Sequence, residues 1–134
     1  MNHPLRPEQL LEAIAKAFPR LHAFPDSFIE VNPDLASLRQ PLDLQAVVPA
    51  YMAWCVRNAA EVNTLIPDYT VAALAEFGRS KNPAIAHLNF KHTCSPEQGA
   101  VVAEFLRSCL NPNLVLHTEQ IERSLKHWSP ESGS

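Results

Sequence analysis

The chain has 134 residues, of which 46% are hydrophobic and 19% charged, and its net charge is −3. That length suits a single domain with one core, spanning 1-134, and the composition is not that of a disordered chain. An acidic balance argues against a general nucleic-acid binder, and no apolar run in the sequence approaches the roughly 18 residues of a membrane span.

Three glycines stand against twelve prolines. Hairpin-rich proteins place glycine where turns need positive φ, and the Asn-Gly and Asp-Gly pairs of such turns are absent here. Together with the abundance of Ala and Leu this predicts an all-α fold of about five helices.

A first helix is expected to open at Pro7, where a missing N–H is harmless, with Glu8 at the positive end of the dipole. Leu10, Leu11, Ile14 and Phe18 fall on one face, and Pro19 ends the run. An irregular Pro-rich connection follows from Arg20 to Pro41. Within it Ser27 to Val31 reads as a short extended piece. Asn32-Pro33-Asp34 has the form of a cap and first turn for a short helix through Leu35 and Leu38.

Asp43 is placed to cap the central helix, whose apolar stripe is Leu44, Val47, Val48, Tyr51, Met52, Cys55 and Val56. Trp54 widens that stripe until the helix needs cover on most sides. Pro49 falls inside it and predicts a kink or the start of a second segment. Asp68 or Thr70 is expected to open the next helix, through Val71, Leu74 and Phe77, with Gly78 as its C-cap.

Ser95-Pro96-Glu97-Gln98 is the clearest local signal, a capping box with proline in the first turn. Val101, Val102, Phe105, Leu106, Cys109 and Leu110 follow at helical spacing, and Asn111-Pro112 stops them. A last helix near Thr118 carries Ile121, Leu125 and Trp128 on one face, ahead of a polar tail over 129-134. The expected core is Ile14, Phe18, Val48, Met52, Cys55, Leu74, Val102, Phe105, Leu106 and Leu125.

The sequence contains no glycine-rich phosphate loop, no His-Glu-x-x-His, no Gly-x-Ser-x-Gly and no Cys-x-x-Cys. Cys55, Cys94 and Cys109 are odd in number and widely spaced, which suits reduced thiols in a cytoplasmic protein. Between Glu76 and Glu97 there is no carboxylate, while Arg79, Lys81, His87, Lys91 and His92 all lie there. Such a basic segment on an acidic chain can meet an acidic partner surface or a phosphate, although charge runs are more often plain solvated loops.

His87, His92 and Cys94 are the clustered potential metal ligands, but their spacing matches no standard zinc pattern. The alternation of Leu88 and Phe90 with polar neighbours makes a short extended segment the simpler reading, and neither a metal nor any other cofactor is expected. Cys94 lies just before a helix start, where a thiol pKa can fall, with His92 as a conceivable base. Small buried cysteines are nonetheless commonly inert, and Cys55 and Cys109 belong to apolar faces. Trp54, Trp128 and Tyr51 read as core, whereas Tyr69 and Phe24 are the better interface candidates.

Val48-Pro49-Ala50-Tyr51-Met52, Ser95-Pro96-Glu97-Gln98, Glu104-Phe105-Leu106 and Leu125-Lys126-His127-Trp128 occur in this order after Ala13-Ile14-Ala15-Lys16-Ala17-Phe18. In these landmarks the chain resembles an uncharacterised family of small bacterial proteins catalogued only as a domain of unknown function. It departs from the family pattern at Ser95, where threonine is expected, and at Gly99, where a basic residue is. The resemblance implies a bacterial, cytosolic, helical domain and carries no catalytic residues with it.

The expected function is a non-catalytic protein-binding module, immunity- or antitoxin-like or an adaptor, because a charged surface speeds encounter with a complementary partner. The alternatives are a small enzyme or metal-binding protein using His87, His92 and Cys94, and nucleotide or nucleic-acid binding through Arg79, Lys81 and Lys91.

Overall fold

The structure, a computed structural model, describes residues 6–35, 43–58, 65–79, 90–109 and 118–128. Seven α-helices and one short 3-10 turn occupy them, with no strand among the described residues, so the all-α expectation holds. None of the described helices is long and apolar enough to cross a membrane.

Helix α1 (Pro7–Ala17) opens as the sequence suggests, with the Arg6 amide donating to Gln9 Oε1 at 3.0 Å. Leu10 and Ile14 are buried, and Phe18 ends the helix with its ring in the core. The Pro-rich connection is less irregular than expected. A 3-10 turn (Leu21–Ala23) leads into α2 (Asp26–Val31), so the segment read as extended is helical. Its run of aromatic and β-branched residues has strand propensity, but packing overrides propensity. Ile29 is fully buried, Phe28 meets Phe24 at 5.1 Å between ring centroids, and Arg57 grips Asp26 through two bonds of 2.8 and 2.9 Å. Asn32 closes α2 as its C-cap. Its backbone N–H and its Nδ2 both donate to the Phe28 carbonyl, each at 3.0 Å. The helix expected through Leu38 lies outside the described residues beyond Leu35, which is buried.

Helix α3 (Leu44–Arg57) is the axis of the molecule. Asp43 caps it by accepting from the Gln45 N–H at 3.0 Å, and Arg20 pairs with the same carboxylate at 2.9 Å. The ten residues from Ala46 to Cys55 are all buried, so the helix is covered around its whole circumference. Pro49 sits inside this run and no second segment begins there. It lies near the start of the helix, so the N–H it lacks removes a single bond to the first turn. Burial forces the polar atoms of α3 to find partners. The Tyr51 hydroxyl donates to the Asn32 carbonyl, and Trp54 Nε1 donates to Glu30 Oε2 at 3.1 Å. With the Arg57–Asp26 pair these contacts run α2 antiparallel along α3.

Helix α4 (Ile66–Arg79) starts ahead of Asp68 and Thr70, with Pro67 in its first turn, and it continues through Gly78 instead of ending before it. Thr70 is buried and accepts from the Cys55 thiol at 3.7 Å. A single helical turn, α5 (Phe90–Thr93), precedes α6 (Pro96–Ser108), so Phe90 and Lys91 are helical and not part of an extended strand. Helix α7 (Thr118–Trp128) packs most extensively on α4 and also on α6, and Trp128 Nε1 donates to the Leu74 carbonyl at 2.7 Å. Ile121, Ser124 and Trp128 form its inner face. Ser124 takes the position that the expected core assigned to Leu125, which lies only half-buried on the flank. The other nine expected core residues are buried.

Phe90 joins the layers. Its ring lies 5.7 Å from Phe18, 6.3 Å from Phe77 and 5.7 Å from Trp128, so one aromatic cluster ties α1, α4, α5 and α7 together.

Two substitutions test this packing. Phe105, which is 1% exposed, should lose about 3–5 kcal/mol of unfolding free energy on replacement by alanine, as for other fully buried aromatics. Ser95→Ala should lose about 0.5–2 kcal/mol through the cap alone. Urea denaturation reads both. An unmoved midpoint for Phe105→Ala would put that ring outside the core, and one for Ser95→Ala would mean that α6 does not start at this cap.

Candidate functional site

The carboxylate-free stretch of the sequence runs from the end of α4 to the start of α6. Lys81 and His87 lie outside the described residues, as do the side chains of Arg79 and His92. The backbone of Arg79 ends α4, and that of His92 belongs to α5. Lys91 is exposed on α5. Lys91 and the backbone of His92 thus belong to one short helical turn, and Cys94 follows directly after it.

A four-residue helix has no independent stability, since isolated helices are marginal below about 12–15 residues. Tertiary contacts hold α5 at both ends. At its start, Phe90 is sunk in the aromatic cluster. At its end, Gln45 of α3 donates through Nε2 to the Thr93 carbonyl at 3.2 Å, to Thr93 Oγ1 at 3.1 Å and to Cys94 Sγ at 3.9 Å. Thr93 Oγ1 in turn donates to the Phe90 carbonyl at 2.7 Å, which closes the turn on itself.

Gln45 is itself held by Gln98, whose Nε2 donates to Gln45 Oε1 at 2.7 Å and to the Ala17 carbonyl at 2.9 Å. Gln98 also completes the capping box: its Oε1 accepts from the Ser95 N–H at 2.9 Å, and its own N–H donates to Ser95 Oγ at 3.1 Å. Two glutamine side chains therefore bind together the end of α1, the start of α3, the α5 turn and the start of α6. The capping box made half of Gln98's role visible in the sequence. Nothing marked Gln45, because its partners are 48 to 53 residues away.

The three thiols are all unactivated. Burial pushes Cys94 up to about 12, with the Gln45 amide pulling it back only in part. Position before a helix start suggested the opposite shift. The Ser95 hydroxyl already accepts from the Gln98 N–H of the first turn, and the thiol is set among packed side chains beside the core. Cys109 is likewise pushed up to about 12 by burial, and burial is also the largest cause of the upward shift of Cys55. Both are core residues, as expected. Tyr51 rises to about 12 through burial and then through the nearby Asp34 carboxylate. Among the described residues no three His, Cys, Asp or Glu side chains gather closely enough to hold a metal ion. Tyr69 and Phe24 are half-buried, and Phe24 packs against the core.

The chain matches no protein-family model, no curated protein and no solved structure.

The raised groups fix the alkaline behaviour. Unfolding returns Cys94, Cys109 and Tyr51 to ordinary values of 9.0 and 10.0, so the unfolded state sheds protons that the folded state keeps. Their contribution is complete below pH about 8.5 and is lost as pH climbs toward the folded values. The thermal midpoint should therefore fall steadily between pH about 9 and 11, and a flat profile there would contradict these burial assignments.

Proposed function

We propose that the protein is a non-catalytic protein-binding module of the immunity, antitoxin or adaptor kind. In this reading it meets an acidic partner surface with the stretch that holds Arg79, Lys81, His87, Lys91 and His92. The observation that carries the reading is the α5 turn: anchored at both ends, it displays the exposed Lys91 in a segment without carboxylates. A surface fixed before binding loses less entropy on association than a loop that must be ordered. The upward-shifted thiols favour binding over cysteine chemistry, since a thiol held protonated is a poor nucleophile. A cytosolic bacterial setting belongs to the same proposal and rests on the free cysteines and the resemblance to the uncharacterised bacterial family.

Charge reversal tests it. If both lysines face solvent, as this reading requires, Lys81→Glu with Lys91→Glu should leave the thermal midpoint within a few degrees of the parent. Retention on immobilised polyglutamate should fall several-fold at low salt, and the difference should vanish as salt rises past about 0.5 M. Equal retention of parent and double variant would refute an acidic partner at this surface. Preferential retention on immobilised single-stranded DNA would favour the nucleic-acid reading instead.

A further inference from the structure

We draw no further inference here: the strongest candidate, the apolar face of α2 that carries the 78% exposed Val31 and the half-buried Phe28, is an unpartnered surface patch, and nothing in the structure shows what covers it.

Discussion

The fold depends on one constraint: α3 is apolar on every side. A helix with ten consecutive buried residues cannot lie at a surface, so the rest of the chain must wrap it. Helices α1, α2, α4 and α5 and the 3-10 turn all touch it, and α6 and α7 close over α1 and α4. Wrapping of this kind explains how a short, proline-rich chain forms a core from helices alone among the described residues. Each surrounding helix needs only one apolar face, and the prolines of α1, α4 and α6 fall where those helices begin.

Complete burial also creates polar obligations, and the way these are met accounts for features that hydrophobicity alone does not require. Tyr51, Trp54 and Cys55 each carry a polar atom into the interior, and each finds a partner on a neighbouring segment: Asn32, Glu30 and Thr70. The short helix α2 and its C-cap lie where they do because they supply two of these partners while burying Ile29. An unmet buried donor or acceptor costs about 1–3 kcal/mol, enough to favour one arrangement of α2 over alternatives of equal apolar content. Among the described residues Ser124 is the exception, with a buried hydroxyl that has no partner.

At the other end of α3 polar chemistry dominates. Four helix ends meet there, and each brings backbone groups that its own helix cannot satisfy. Asp43, Ser95, Gln45 and Gln98 satisfy them from side chains, so the start of α3, the α5 turn and the start of α6 are held as one unit. The exposed basic turn thus sits on a polar junction, outside the aromatic cluster that anchors its first residue.

Local chemistry in the sequence determined the helical class, the start of α1 at Pro7, the Asp43 and Ser95 caps, and nine of the ten expected core residues. These depend on residues within one or two turns of each other, or on a period that a helix imposes. Tertiary structure alone decided the rest. Ser27 to Val31 reads as extended in isolation and is helical because α3 offers partners to Asp26, Glu30 and Asn32. Leu125 yields the inner face of α7 to Ser124 because Ile121 and Trp128 set the rotation of that helix. Cys94 lies before a helix start, yet burial against the core raises its thiol. Gln45 binds the α5 turn through atoms 48 and 49 residues away. In each case the deciding term is a contact between segments distant in sequence, and short-range spacing does not encode such contacts.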